Sequence, residues 1–419
     1  MHPNALVELA TELLHQVMRF DSPADSIVSR FFRQQRGLGP RERHTLAETV
    51  YMVLRRRLLY ENLAQSGKGE AVRRLVLLGW QGNAAFLRAA LTDYELEWLP
   101  KMQAVHPSTL PEKLRHNLPD WLADALKSSL GQNFWPVVNA LNENAPLDLR
   151  VNSFKSNRED VREALMLAGH QAQLTNYSPW GLRLDNKIAL QNLDVFKRGD
   201  VEVQDEGSQL LALCVDAKRG EMVADFCAGA GGKTLALGAN MRNTGRLYAF
   251  DTSGHRLAAL KPRLARSGLS NVYPVQLAHE RDERIKRLAG KMNRVLVDAP
   301  CSGLGTLRRN PDLKWRQSPQ SVAELQTKQA AILNSAARLL KPGGRLVYAT
   351  CSLLPSENED VAQAFTQEHG SNFKLLAAAD VLAKAHVNGA QDLVVGDYLH
   401  LWPNVHGTDA FFAAIWERV

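Results

Sequence analysis

The chain has 419 residues, 45% hydrophobic and 23% charged, the profile of a soluble globular protein with material for two or three domains. Four cysteines without a C-x-x-C pair argue against a zinc site, and no apolar run reaches membrane-spanning length. The net charge of +7 suits an acidic partner such as nucleic acid, although a basic soluble surface accounts for it equally well.

Residues 1–21 carry Leu6, Leu9, Leu13 and Val17 at helical spacing and lack a basic region ahead of an apolar core. No signal peptide is therefore expected, and a reducing cytoplasm, where free thiols persist, is the expected setting. Helical spacing continues through Leu46 to Leu54. Basic residues cluster at Arg30, Arg33, Arg36, Arg41 and Arg43, then at Arg55, Arg56 and Arg57. Most are read singly as a solvated face, and together as a candidate RNA contact. A linker is expected at 106–111 and more helix from Leu118. Alternation from Leu147 to Asn152 and a helix near 158–168 predict a small α+β module. The expected domains are 1–140, helical; 141–200, α+β; and 201–419.

From Val201 onward strands and helices alternate, with strands predicted at 223–226, 247–251, 272–277, 295–298 and 346–350. A long helix is predicted at 319–340, stopped by Lys341-Pro342-Gly343-Gly344. Such repeats imply an α/β fold with a doubly wound, mostly parallel sheet, which binds ligands at the carboxyl ends of its strands.

The first predicted strand runs into Cys227-Ala228-Gly229-Ala230-Gly231-Gly232-Lys233-Thr234. Small residues let backbone approach a ligand, and the following helix start offers free N–H groups. Gly232-Lys233-Thr234 resembles the end of a phosphate-binding P-loop, but Cys227 stands where that motif needs its first glycine. An NTPase is disfavoured accordingly. The next strand ends in Asp251, placed to accept both hydroxyls of a ribose. Loop and acid together fit an adenosine-containing cofactor, NAD or S-adenosylmethionine.

Cys301 and Cys351 each follow a predicted strand, within Asp298-Ala299-Pro300-Cys301-Ser302 and Ala349-Thr350-Cys351-Ser352. Free cysteine is usually a small buried hydrophobe, the reading given to Cys214, while Cys227 is read as cofactor-loop backbone. Two thiols at ligand-binding strand ends point instead to covalent catalysis, which decides against hydride transfer. A thiolate adding to C6 of cytosine makes C5 nucleophilic toward a sulfonium methyl. Asp298 can reach the same pocket as the acid near N3, and the base must be unstacked to enter. Spacing does not say which thiol attacks.

These motifs, with Arg308-Arg309-Asn310-Pro311-Asp312-Leu313-Lys314-Trp315 and the run from Ala349 through Ser356-Glu357-Asn358, resemble the Sun/Fmu group of rRNA cytosine-C5 methyltransferases within the Nop/Sun family. The resemblance implies a Rossmann-like methyltransferase domain preceded by an all-α NusB-like domain and a small α+β module. It implies Cys351 as nucleophile, Cys301 as the thiol that helps resolve the adduct, and S-adenosylmethionine held by 227–233, Asp251 and Asp298. RNA, specifically 16S rRNA, is the implied partner of a monomer without metal. A tRNA cytosine-C5 methyltransferase and a non-catalytic ribosome-assembly factor keeping the fold are the alternatives. Arg308 and Arg309 are read as phosphate contacts, with Trp315 a weaker candidate for base stacking. The chain departs from the family pattern at Ala230, where proline is usual, and at Ala410, where glycine is usual. It departs again at Ala278, where an acid near adenine is usual; Asp282 substitutes only if its loop shifts.

Overall fold

The computed structural model describes residues 1–186 and 188–419. The chain divides into two compact units, residues 1–144 with 306–319 and residues 145–305 with 320–419.

The first unit is helical. Its opening helix, Pro3–Val17, buries Leu6, Val7, Ala10, Leu13, Leu14 and Val17, the predicted stripe with Leu9 at its edge. Helices Pro40–Arg55 and Ala71–Leu78 close the same core around Leu46, Val50, Leu54 and Val76. The helix Asp93–Gln103 starts at a capping box, in which Thr92 and Glu95 satisfy each other's backbone N–H groups.

Residues 306–319, expected within the third domain, belong to this helical unit. Lys314 Nζ donates to the Arg55 carbonyl at 2.9 Å, and Trp315 Nε1 to the Leu54 carbonyl at 2.8 Å. Arg55 Nη2 returns a bond to the Arg308 carbonyl at 2.8 Å, and Asp312 accepts from Ala24 N. Arg55 and Trp315, both weighed as nucleic-acid contacts, thus have structural partners here. Arg30, Arg33, Arg36 and Arg41 are exposed.

The second unit holds two sheets. The smaller contains β1 (Leu147–Val151), β2 (Ala172–Leu174), β3 (Gly181–Leu184) and β4 (Val201–Val203), antiparallel in the order β2-β3-β1-β4. Fully buried Asp148 on β1 anchors Arg183 of β3 through a two-pronged contact at 2.7 and 2.8 Å. Asn152 Nδ2 donates to Ser267 O, tying this small sheet to a helix of the larger one.

The larger sheet contains β5 (Met222–Asp225), β6 (Arg246–Asp251), β7 (Val272–Gln276), β8 (Met292–Asp298), β9 (Leu340–Thr350), β10 (Phe373–Leu376), β11 (Val394–Val395), β12 (Tyr398–Leu401) and β13 (Phe411–Arg418). Strands β9, β8, β5, β6 and β7 pair in parallel, in that order. They bear out the predicted parallel sheet, and the apolar runs of β5, β8 and β9 match burial on both faces. The remaining strands join antiparallel through β13, which pairs with β9. The predicted helix at 319–340 is shorter, Pro319–Ala337. Leu340 already pairs with Met292 in the sheet, and residues 341–344 bulge out before pairing resumes at Arg345. The predicted helix stop is therefore an irregular strand entry. Among the described residues, no helix is long and apolar enough to cross a membrane.

Burial, followed by the charges of Arg55 and Arg56, pushes the Lys314 ammonium well below the ordinary lysine range. Between that lowered pKa and the ordinary one the folded chain holds fewer protons than the unfolded chain, so this lysine adds stability as pH rises. Lys314→Met is expected to be more stable than wild type near neutral pH, with the advantage shrinking as pH rises through the alkaline window. Thermal melts at stepped pH measure the difference, and a constant gap between the two proteins would contradict it.

Candidate active site

The strand order reverses at β5, with β6 and β7 on one side and β8 and β9 on the other. Open α/β sheets bind ligands at such a switch point, outside the carboxyl ends of the strands. A cavity of about 430 Å³ lies there, within the size range of small-molecule sites. Its wall combines Phe226, Leu277 and Ile332 with Cys227, Asp251, Asp298, Cys301 and Cys351.

The glycine loop leaves β5 after Asp225, which is buried and accepts from Thr234 Oγ1 at 2.7 Å. Burial, partly offset by that hydrogen bond, lifts its carboxyl to about 7. Gly229 and Gly231 take left-handed conformations, φ 55° and 84°. A Cβ on Gly231 would stand 2.1 Å from Leu260 Cδ1. Ala230 stands between them without loosening the turn: Gly231 N donates to Ala228 O at 2.8 Å, and Arg263 Nη1 to Ala230 O at 2.7 Å. Helix Gly232–Asn240 follows.

Asp251 ends β6 with one carboxylate oxygen accepting from Gly229 N (2.8 Å) and the other from Ser253 N (2.7 Å). It therefore holds the glycine loop as well as facing the cavity. Lys233 Nζ bonds Asp298 Oδ2 at 2.8 Å. Burial opposes the Lys233 charge, but Asp298, and further on the charge of Cys351, hold its pKa above the ordinary lysine value.

Beyond β7, Asp282 does not replace the missing acid. Its carboxylate accepts from the backbone N–H groups of Ala278 and Arg284, both at 2.9 Å, capping its own loop. Glu280 lines the cavity instead, as do Arg256 and Lys328, three residues the sequence reading passed over. Their signal was weak, each being a single charged residue with no motif around it.

Cys301 and Cys351 meet, with their sulfurs 3.5 Å apart. The hydrogen bond to Cys351, then burial, pushes the Cys301 thiol well above its usual range. Burial, then Asp225, Asp298 and Asp251, raises the Cys227 thiol strongly. Burial pushes Cys214, on helix Glu206–Val215, up to about 12, in keeping with a core residue. Arg308 and Arg309 belong to the helical unit, Arg308 buried and Arg309 half-buried, which leaves Arg309 the more accessible for a phosphate.

A switch-point cavity lined by the start of a glycine loop and a strand-end carboxylate defines a Rossmann-like enzyme that takes a nucleoside cofactor, and two thiols share its wall. Residues 212–417 match the family described as 16S rRNA methyltransferase RsmB/F, and residues 118–191 match its ferredoxin-like domain. A probable ribosomal RNA small subunit methyltransferase B of Synechocystis is 30% identical, covering 97% of this chain and 98% of its own. A protein of the same description from Bacillus subtilis is 28% identical over 96% of this chain and 89% of its own. A solved methyltransferase homolog from Pyrococcus horikoshii superposes with a TM-score of 0.63 at 29% identity, covering 75% of this chain and 100% of its own. The chain belongs to the RsmB/F family of S-adenosylmethionine-dependent rRNA methyltransferases. The residues present fit that cofactor: Asp251 offers acceptors at the wall of a cavity that Cys227, at the start of the glycine loop, also lines.

Because a hydrogen bond to a charged group contributes about 1.5–3 kcal/mol, Asp251→Ala is expected to weaken S-adenosylmethionine binding by roughly tenfold or more. Titration calorimetry measures this, and an affinity equal to wild type would count against a cofactor role for this carboxylate.

Proposed function

We propose that the protein methylates C5 of a cytosine in 16S rRNA through a transient bond between Cys351 and C6 of the base. The carrying observation is the 3.5 Å approach of the two sulfurs at the ends of β8 and β9, on the wall of the proposed cofactor cavity. The division of labour between the two thiols follows the family resemblance. Cys301 holds its proton and lies within hydrogen-bond reach of Cys351.

In this reading the Cys351 sulfur adds to C6, and the electron pair of the C5–C6 bond becomes available at C5. Asp298, near N3, stabilises the adduct while Lys233 keeps its carboxylate oriented. Bound S-adenosylmethionine supplies the electrophilic methyl group. Loss of the C5 proton to solvent then restores the C5–C6 double bond, and the C6–S electron pair leaves with sulfur to return Cys351 as a thiolate. Cys301 lies beside that bond and, still a thiol, donates to the departing Cys351 thiolate. Exposed Arg30, Arg33, Arg36 and Arg41 support RNA contact by the helical unit, with Arg309 and Arg308 as further candidates.

The test is covalent trapping on 5-fluorocytosine RNA with S-adenosylmethionine. Wild type is expected to form a denaturation-resistant complex and Cys351→Ala none, whereas Cys301→Ala is expected to accumulate adduct even on ordinary cytosine RNA. Trapping by Cys351→Ala but not by Cys301→Ala would reverse the two roles. Bisulfite mapping of rRNA and tRNA from a deletion strain identifies the substrate, and loss of a mark in tRNA alone would overturn the 16S reading.

A further inference from the structure

Glu357 lies outside the mechanism above, yet both cysteine loops converge on it. It closes the short turn Pro355–Glu357, and its side chain is fully buried. One carboxylate oxygen accepts from Ser302 N at 2.8 Å and from Gln329 Nε2 at 2.9 Å. The other accepts from the hydroxyls of Ser302 and Ser352, both at 2.5 Å. Ser302 directly follows Cys301, and Ser352 directly follows Cys351. The two hydroxyls also lie 3.2 Å from each other. Gln329 extends the bridge to the Cys301 loop from its other side, donating to Pro300 O at 3.0 Å. The neighbouring Asn358 continues the pattern, its Nδ2 donating to Ser352 O and its Oδ1 accepting from Thr350 Oγ1.

We propose that Glu357 is a positioning residue that clamps the Cys301 and Cys351 loops together and thereby sets the separation of the two thiols. A buried carboxylate is costly unless its oxygens are satisfied, and here the donors come from both loops and from helix Pro319–Ala337. Neither loop can move away without stripping a hydrogen bond from a charged, desolvated group. The charge of Glu357 also contributes to holding the Cys301 proton in place. The catalytic meaning of this clamp rests on the proposed thiol chemistry, while the clamp itself can be read from the thiols alone.

The experiment uses diamide, which joins the two sulfurs as a disulfide: the two thiols lose their hydrogens, and one diamide is reduced to its hydrazine. Since a misplacement of about 1 Å can cost about 10²-fold in rate, Glu357→Ala is expected to cross-link Cys301 to Cys351 at least tenfold more slowly than wild type. Its affinity for S-adenosylmethionine should be unchanged, and kcat should fall without a matching rise in the cofactor KM. Glu357→Gln is expected to recover most of the cross-linking rate, because its amide oxygen can accept from the two N–H groups while its amide nitrogen donates to the two hydroxyls. If Glu357→Ala loses cofactor binding, and with it the fold, the S302A/S352A double variant decides, since it keeps the carboxylate and removes its hydroxyl partners. Wild-type cross-linking in the folded variant overturns the clamp. Slowed cross-linking together with a wild type that never traps 5-fluorocytosine RNA overturns the proposed chemistry and leaves the clamp standing.

Discussion

The parallel pairing of β8 with β9 is the constraint on which the rest of the site depends. Asp298 stands opposite Ala349, and Ala299 N still donates to Ala349 O at 2.8 Å where the strands end. From that point each chain turns out of the sheet and meets a cysteine within three residues. A slip of one residue would send the side chains of both strands to the opposite faces, and burial on both faces forbids that. The register is thus enforced by apolar packing far from the sulfurs, yet it delivers them to van der Waals contact.

A second layer of order comes from buried carboxylates. Asp225, Asp251 and Glu357 are withdrawn from water, and each is tied to backbone N–H groups or hydroxyls. Asp298 is partly open and is tied to an ammonium. Several of these bonds tie separate elements together: the glycine loop to β6, Lys233 to the end of β8, the two cysteine loops to one turn. Apolar packing sets where the strands lie, and the acids set how the loops leave them. The division follows from the directionality of hydrogen bonds, which hydrophobic contacts lack.

The helical unit shows how a motif can be shared between roles. The run from Arg308 to Trp315 looked like a basic-aromatic nucleic-acid surface, yet Lys314 and Trp315 spend their N–H groups on the carbonyls of a helix in the same unit. Family membership extends over nearly the whole chain, and residues 306–319 leave the α/β unit after Gly305 and return to it at Gln320.

What the amino-acid sequence determined by itself were features that depend on near neighbours. Strand and helix period, the glycine loop, Asp251 at a strand end and the strand-end placement of Cys301 and Cys351 can all be read from residues a few positions apart, where chain connectivity guarantees proximity. The irregular entry into β9 was misread as a helix stop because Lys-Pro-Gly-Gly is punctuation for either, and only pairing with Met292 separates them. Tertiary structure alone decided the partners at long separation. Lys233 finds Asp298 sixty-five residues away, and Glu357 finds Ser302 fifty-five residues away. Asp282 turned out to be committed to its own loop, while Glu280 faces the cavity. Sequence periodicity says which face of an element is buried. Which polar groups meet across the fold is set by packing of the whole, so those contacts became visible only once the chain was closed.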